Sequence, residues 1–257
     1  MHYLQGRYPV LEKKILAKNM VQYVILCPEI AAAAQPGQFV HILPVGHTLR
    51  RPISLCGIDK EKGTICIVFE LKGSGTETLA ACNVGDCMDV LGSLGHGFTL
   101  LPDAKRVVLL GGGIGNPPML PLAQYYQERA TVISGFRSAE FVILQEAFQD
   151  AGAETILCTD NGTVGRHGLV TEPLQELLQT QQIDAVYACG PKPMLRAIAN
   201  LANTADVFCE VSLEERMGCG IGACLVCACK LEREGKPVSA HVCKDGPVFS
   251  AKEVVWE

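Results

Sequence analysis

The chain of 257 residues carries few charges and no long run of positive ones. Only 19 % of its residues are Asp, Glu, Lys or Arg, and the formal net charge at pH 7 is −5. Nucleic acids and other polyanions are bound through clusters of lysine and arginine, and the sequence contains none. We therefore expect no nucleic acid partner.

Long apolar segments are lacking too. A helix that spans a bilayer needs about 20 consecutive apolar residues, and the apolar runs of this chain are much shorter. The first residues reach Lys13 and Lys14 without the apolar core of a signal peptide. These features predict a protein of the cytoplasm with no membrane partner.

Apolar residues, glycine and cysteine are abundant instead. Hydrophobic residues make up 48 % of the chain, which also holds 26 glycines and 13 cysteines. This composition indicates a core-rich protein, long enough for one large or two medium domains plus a small module. Most cysteines stand singly inside apolar runs, which is typical of reduced thiols rather than of a disulfide framework.

A cysteine-rich loop near the C-terminus carries the strongest signal. Cys219, Cys224 and Cys227 follow a C-x4-C-x2-C spacing, and Cys243 comes after fifteen intervening residues. This is the plant-type spacing of a [2Fe–2S] cluster, and the intervening glycines allow amide groups to approach it closely. A zinc site, which usually shows two C-x2-C pairs, and inert thiols are the alternatives. Cys229, just after the motif, is interpreted as a non-ligand.

Short strands separated by glycine and proline turns predict an antiparallel β-barrel in the first hundred residues. One strand begins Arg51-Pro52-Ile53-Ser54, in which a guanidinium suits a phosphate and a hydroxyl suits a ring nitrogen. In isolation this arginine would be an ordinary surface residue.

A further strand includes Val68, Phe69 and Glu70 and leads into a glycine loop with Gly75 and Thr76. The amides of such a loop can face a phosphate, although a plain hairpin turn has the same composition. The isolated His41 and His96 have no partners at metal-ligand spacing, and we assign them no role.

From about residue 103 strands and helices alternate, which predicts a parallel sheet with ligands beyond its C-terminal edge. A buried strand leads into a glycine loop and a helix, with Gly112, Gly113, Gly115 and Pro118 in a GG-x-G-x-x-P pattern. This context is that of a pyrophosphate-binding loop. A later helix is predicted over residues 141–151, and the loops at 111–115, 159–163 and 189–194 should meet in one crevice.

The last of these loops reads Cys189-Gly190-Pro191 and continues to Met194. A thiol here is small enough to pack beside a nicotinamide ring. No base stands at a recognisable spacing, so Cys189 is not expected to act as a nucleophile. An inert strand-end cysteine is the alternative. A 2′-phosphate of NADP would require an arginine at the adenosine site, and Arg137 is the only suspect.

The motifs occur in one order, and this order resembles the ferredoxin–NADP reductase superfamily. Over nearly its full length the chain resembles the family of electron transfer subunits of dihydroorotate dehydrogenase B, also in the residues from Glu210 to Met217 and from Cys243 to Phe249. The resemblance implies three units: an FAD-binding β-barrel domain (1–101), an NAD-binding α/β domain (102–210) and a [2Fe–2S] module (211–257).

The same resemblance implies roles for the motif residues. Arg51 pairs with the flavin pyrophosphate, and Ser54 hydrogen-bonds near the flavin N5 atom. Ile53 stands where many members carry tyrosine, so stacking on the ring must come from elsewhere or be replaced by aliphatic contact. The other FAD residues are Pro52, Val68, Phe69, Glu70, Gly75 and Thr76. NAD, as substrate, would lie on Gly112, Gly113, Gly115, Pro118, Cys189, Gly190 and Pro191. No residue is needed as a general acid or base.

The family further implies an FMN-containing catalytic subunit as partner, in a heterotetramer of two plus two, and a place in pyrimidine (UMP) biosynthesis. Two other readings stay open. The chain resembles flavin and iron–sulfur subunits of other complexes, such as an NADP–ferredoxin oxidoreductase or a hydrogenase. A redox sensor that keeps this fold without turnover is the non-enzymatic reading.

Overall fold

The computed structural model describes residues 3–256, and its first part is a closed antiparallel barrel. The strand order is β1-β2-β5-β4-β3-β6, and β6 pairs back with β1. This confirms the barrel predicted from the short strands. Its members are β1 (Leu4–Ala17), β2 (Met20–Leu26), β3 (Phe39–Leu43), β4 (Arg51–Asp59), β5 (Thr64–Glu70) and β6 (Cys87–Leu94).

Alternate side chains of the barrel strands point inward and fill the barrel core. Along β2, Val21, Tyr23 and Ile25 are buried inside, while the residues between them are half-exposed. Phe69 of β5 stacks on Tyr23 with 5.9 Å between the ring centroids. Two short helices, α1 (Pro28–Ala33) and α2 (Ser74–Ala80), interrupt the barrel strands, and the Tyr23 hydroxyl donates hydrogen bonds to carbonyls at the end of α2.

The second part is a seven-stranded sheet, of which six strands are parallel. Its order is β10-β9-β8-β7-β11-β12-β15, where β15 is Val248–Ser250. As the alternating pattern predicted, helices connect the parallel strands, except that a loop joins β9 to β10. The strands are β7 (Val107–Gly112), β8 (Ala130–Phe136), β9 (Glu154–Thr159), β10 (Arg166–His167), β11 (Ala185–Cys189) and β12 (Phe208–Ser212). The helices are α3 (Leu120–Tyr126), α4 (Gln145–Asp150), α5 (Thr171–Thr180) and α6 (Lys192–Thr204).

The helix predicted over 141–151 is wrong in its first half. A 3-10 turn occupies Ala139–Phe141, Val142 is extended, and α4 starts only at Gln145. Leu144, just before it, has a left-handed backbone with φ of 65°. The β-branched pair Val142 and Ile143 favours extended backbone, which ends the helical pattern there.

The cysteine-rich segment leaves the sheet after β12 and returns to it at β15. Hairpin strands β13 (Ala228–Arg233) and β14 (Lys236–His241) precede β15 (Val248–Ser250), which pairs antiparallel with β12. The Leu213 N–H donates to the Pro247 carbonyl at 2.9 Å, where the segment leaves and rejoins the sheet. Strand β12 runs across residue 210, so the proposed division at 210/211 falls within a strand, and that division remains a prediction.

Among residues 3–256 no helix is long and apolar enough to cross a membrane.

Candidate functional site

The first residue of β4, Arg51, lies against the start of α2. A Cβ atom on Gly75 would overlap the guanidinium group, so a larger residue here would displace this arginine from its position. Nη1 of Arg51 donates to the Leu49 carbonyl at 2.7 Å, and within residues 3–256 the side chain forms no ion pair. Its neighbour Arg50 lies against β6, where it pairs with Asp89 at 2.8 Å. Arg51 is therefore the arginine that remains for a ligand.

The loop that faces Arg51 presents backbone amides. Helix α2 starts at Ser74, so the first N–H groups of the helix have no carbonyl partner within it. The Thr76 hydroxyl accepts hydrogen bonds from the N–H groups of Lys72 at 2.9 Å and Gly73 at 3.2 Å, which fixes the loop. A guanidinium beside free amides fits the pyrophosphate of a dinucleotide.

The remaining predicted flavin residues divide between the two faces of their strands. Ile53 and Phe69 are 6 % and 3 % exposed and pack in the barrel core, so contact with a flavin would be made by their main chains. Ser54 is half-buried, and Val68 packs between the barrel and the sheet. Glu70, also half-buried, pairs with Lys72.

The glycine loop and the Cys-Gly-Pro loop meet at the C-terminal edge of the sheet. Gly111 and Cys189 are paired across β7 and β11. A Cβ atom on Gly115 would overlap the Cys189 carbonyl, and one on Gly112 would lie 2.6 Å from Sδ of Met194 and 2.9 Å from Cδ of Pro191. The two predicted nucleotide loops therefore form one surface, and each glycine allows their close approach.

The third loop of the predicted crevice starts after Thr159, the last residue of β9. Strand β8 lies between β9 and β7, so this loop is two strands away from the glycine loop on the same edge. The Thr159 hydroxyl donates to the Val164 carbonyl at 2.7 Å and shapes the loop. All three loops lie at one edge, but only the first two are in contact through adjacent strands.

The thiol of Cys189 is protonated at neutral pH. Burial raises its pKa to about 12, while a hydrogen bond with the Ser212 hydroxyl acts in the opposite direction. The thiolate is the nucleophilic form of cysteine, and it is scarce here. A protonated Cys189 agrees with a packing role beside a ring.

The barrel strands of the flavin motif pack directly against the nucleotide loop. Strand β4 contacts the 3-10 turn Pro117–Met119, which contains the buried Pro118, and β5 contacts the turn Gly113–Gly115. A flavin held on β4 and a nucleotide held on Gly112–Gly115 would thus be neighbours, as hydride transfer between them requires.

The four predicted iron ligands form two thiol pairs. The N–H of Cys224 donates to Sγ of Cys219, and the N–H of Cys243 donates to Sγ of Cys227, each at 3.4 Å. Within residues 3–256 no three His, Cys, Asp or Glu side chains gather around one point as a single metal ion would require. Two pairs fit a [2Fe–2S] cluster, in which four cysteines serve two irons.

Backbone amides converge on these sulfurs. Sγ of Cys219 accepts the N–H groups of Ala223 at 3.2 Å and of Ile221 and Cys224 at 3.4 Å, and Sγ of Cys243 accepts that of Gly222 at 3.1 Å. Burial acts to raise the pKa of Cys219, but these N–H groups outweigh it and lower the pKa to about 6. The thiolate is the metal-binding form of cysteine, so the loop is suited to a metal centre.

Cys229 differs from the four ligands. It lies in β13, paired with Ala240 of β14, and burial raises its pKa to about 11. Its predicted status as a non-ligand is consistent with this environment.

Sequence reasoning missed the position of His41. Its side chain is 0 % exposed on β3, and it touches Gly220 of the cysteine loop. Burial, with a smaller contribution from Arg50, lowers its pKa to about 4. Burial of a lone histidine against a loop 180 residues away leaves no local pattern in the sequence.

An ion pair between Lys192 and Glu215 links the Cys-Gly-Pro loop to the segment that leads into the cysteines. Lys192 is the first residue of α6, next to Pro191, and Glu215 follows β12. The nucleotide surface and the cluster segment are therefore in direct contact.

A flavin barrel packed against a nucleotide-binding sheet, with a cysteine loop joined to both, defines a flavin-dependent pyridine nucleotide reductase with an iron–sulfur module. A sequence profile of the iron–sulfur cluster binding domain of dihydroorotate dehydrogenase B matches residues 214–255. The chain belongs to the family of electron transfer subunits of dihydroorotate dehydrogenase B (NAD(+)).

Two relatives show this. The subunit of Bacillus caldolyticus is 41 % identical over 257 residues, which cover 97 % of this chain and 98 % of that protein. The subunit of Caldanaerobacter subterraneus is 44 % identical over 224 residues, or 86 % of this chain and 87 % of its own.

Solved structures share the fold of this chain. An NADH-dependent reduced ferredoxin–NADP oxidoreductase, studied for flavin-based electron bifurcation, has a chain that superimposes with a TM-score of 0.86 and 27 % identity, covering 98 % of this chain and 90 % of its own. The ferredoxin reductase of carbazole 1,9a-dioxygenase shares the fold at a TM-score of 0.67 and 17 % identity, over 80 % of this chain and 67 % of its own.

Proposed function

We propose that the chain transfers electrons between a [2Fe–2S] cluster and NAD⁺ through a bound FAD, as the electron transfer subunit of a dihydroorotate dehydrogenase B. The observation that carries this proposal is that the three sites lie next to one another. Strand β4 packs against Pro117–Met119, and His41 of the barrel touches the cysteine loop. A bound flavin exchanges a hydride with nicotinamide and single electrons with an iron–sulfur cluster. The residues bind, orient and shield these groups.

The FAD site is proposed at the mouth of the barrel. Arg51 and the amides at the start of α2 would hold the pyrophosphate, and the half-buried Ser54 would lie near the ring. The other members of this site are Pro52, Ile53, Val68, Phe69, Glu70, Gly75 and Thr76. Because Ile53 and Phe69 fill the barrel core, they would set the position of their strands rather than stack on the flavin.

NAD⁺ is proposed to bind on the surface where the two nucleotide loops meet. This surface comprises Gly112, Gly113, Gly115, Pro118, Cys189, Gly190 and Pro191. NAD⁺ is preferred to NADP⁺ because the relatives that define the family are NAD(+) enzymes. Arg137 is exposed just after the end of β8. It is the residue that we propose would contact the 2′-phosphate if the substrate were NADP⁺.

The partner is proposed to dock over the exposed half of the cluster. Cys224 is exposed, and the next residues, Leu225 and Val226, are 61 % and 57 % exposed. Such apolar side chains beside a redox centre suit a protein interface. The partner would be an FMN-containing catalytic subunit that oxidises dihydroorotate, in a cytoplasmic heterotetramer of two plus two that serves pyrimidine biosynthesis.

The ligand assignment can be tested with paired serine variants. Cys219→Ser should abolish the visible absorbance and the EPR signal of the cluster, yet NADH should still reduce the flavin. Cys229→Ser is the matched control and should keep a full cluster. A cluster that survives in Cys219→Ser, or is lost only in Cys229→Ser, would refute the assignment.

The physiological reaction can be tested by co-expression with an FMN-containing dihydroorotate dehydrogenase subunit. The purified complex should form NADH from NAD⁺ when dihydroorotate is added, and the isolated chain should not. A complex with full FAD, FMN and iron that forms no NADH would contradict the proposal.

The solved oxidoreductase at 27 % identity supports a second candidate, a flavin and iron–sulfur subunit of a ferredoxin-linked complex. The two candidates differ in their electron partner. Reduction of NADP⁺ by the complex with NADH and reduced ferredoxin as electron donors, without a response to dihydroorotate, would favour the second.

A further inference from the structure

One side chain bridges the flavin strand and the cysteine loop. His41 on β3 is paired with Pro52 on β4, the second residue of the Arg-Pro-Ile-Ser stretch. Its ring is 0 % exposed, and a Cβ atom on Gly220 would lie 2.5 Å from Nδ1. Gly220 follows Cys219 directly and has a left-handed φ of 74°. The imidazole therefore packs between the proposed flavin and cluster sites.

The ring has no hydrogen-bond partner in the part of the chain that the structure describes. Neither Nδ1 nor Nε2 of His41 finds one among residues 3–256. The carbonyls of Cys219 and Arg50 are close enough to influence the ring, but neither is placed well enough to accept a hydrogen bond. A neutral imidazole always carries one N–H, and buried polar groups are nearly always satisfied. A group bound beside Cys219 can supply the acceptor that the ring lacks.

We propose that His41 is a positioning residue for the iron–sulfur cluster: it donates its ring N–H to a sulfur of the cluster and braces the Cys219–Gly220 peptide against the flavin strand. This inference rests on the proposed binding of the cluster by the four cysteines. Hydrogen bonds to cluster sulfurs stabilise the reduced form and raise the reduction potential. His41 would thereby favour electron transfer from flavin to cluster.

The test uses two variants in the complete chain with its FAD and cluster. His41→Leu fills a similar space without a donor, whereas His41→Gln keeps an N–H donor. FAD and iron per chain, the EPR spectrum of the reduced cluster and its midpoint potential are measured. Flavin and cluster reduction by NADH are followed separately by rapid mixing.

We expect His41→Leu to shift the EPR spectrum, lower the midpoint potential and slow cluster reduction about 10-fold, as is typical of lost outer-shell contacts. Flavin reduction by NADH should stay unchanged. His41→Gln should recover most of the potential and the rate. A variant that folds with FAD but loses its iron would also support the proposal, because the brace on Cys219 would be gone.

A second pair of variants tests the brace without removing the histidine. Gly220→Ala should disturb the cluster spectrum, because the added methyl group collides with the ring. Gly235→Ala is the matched control: Gly235 has a φ of 71°, but nothing lies within 4 Å of its Cβ position. The control should leave the cluster spectrum unchanged.

The proposal is overturned if His41→Leu keeps the wild-type EPR spectrum, potential and rate of cluster reduction. It is also overturned if Gly220→Ala and Gly235→Ala have equal effects, or if His41→Gln behaves as His41→Leu in a chain with full FAD and iron. Failure of the proposed cluster binding, on which this inference rests, looks different. In that case the wild-type chain itself would show no [2Fe–2S] signal.

Discussion

Arg51 lies against Gly75, and the space between them would not hold even one methyl group. The arginine starts β4 and the glycine lies in the first turn of α2, so the contact fixes a guanidinium beside free amides. The proposed pyrophosphate site depends on this one contact.

Gly75→Ala should therefore weaken FAD binding. The methyl group displaces the guanidinium, and a hydrogen bond to a charged group contributes about 1.5–3 kcal/mol, so we expect an FAD dissociation constant at least about 10-fold higher. FAD per chain and its release on dilution measure the effect. Gly73→Ala is the control, because nothing lies within 4 Å of its Cβ position and its backbone is extended. Equal losses in both variants would contradict the role of the contact.

Substitutions of the adjacent Arg50 and Arg51 should have different effects, one on the stability of the fold and the other on FAD binding. Arg51→Met should lose FAD, whereas Arg50→Met should lower the free energy of unfolding by about 2 kcal/mol, because Arg50 pairs with Asp89 at 2.8 Å and both are largely buried. Denaturant unfolding of the FAD-free chain and FAD titration provide the two measurements. The reverse assignment of effects would show that Arg50, not Arg51, holds the flavin.

Gly115→Ala should impair NAD⁺ and NADH binding but not the other cofactors. The methyl group would overlap the Cys189 carbonyl and separate the two nucleotide loops, so we expect KM for NADH to rise about 10-fold or more. FAD content and cluster absorbance should be unchanged. Gly85→Ala, in a turn before β6 with a φ of 93° and nothing within 4 Å of its Cβ position, controls for backbone strain alone, about 1 kcal/mol. A KM that rises equally in both variants would implicate strain.

The Cys189 thiol should be inert at neutral pH. Its pKa is raised to about 12, so at pH 8 only about one thiol in ten thousand is ionised. Iodoacetamide at pH 8 should leave Cys189 unmodified, and Cys189→Ala should retain flavin reduction by NADH within about tenfold. The thiolate fraction grows as the pH approaches 12. Rapid alkylation at pH 8, read by mass spectrometry, would contradict this.

The sequence allowed the barrel, the parallel sheet and the ligand loops to be predicted, because each depends on local patterns. Alternation marks strands, and glycine loops follow directly from the strands that position them. The spacing placed Cys219, Cys224 and Cys227 in one loop, and the structure adds that the β13–β14 hairpin brings Cys243 back to Cys227.

What could not be predicted depends on contacts between distant segments. Three consecutive residues of β5 were expected to flank the flavin, but strand pleating turns Phe69 into the barrel and Val68 toward the sheet. The role of His41 needs the fold, because only the packing of β3 on the cysteine loop removes its ring from water. The helix expected from 141 failed because Val142 and Ile143 favour extended backbone more strongly than the apolar spacing indicated.

The pairing of β12 with β15 gives the cysteine segment the topology of an insertion into a β-hairpin. Ser212 and Val248 are direct partners in antiparallel strands, which a two-residue turn can join. The segment between them, which contains all four predicted iron ligands, is not required for the connectivity of the sheet. A short turn from Ser212 to Val248 would therefore leave the strand order of the sheet unchanged while removing the cysteine segment as a whole.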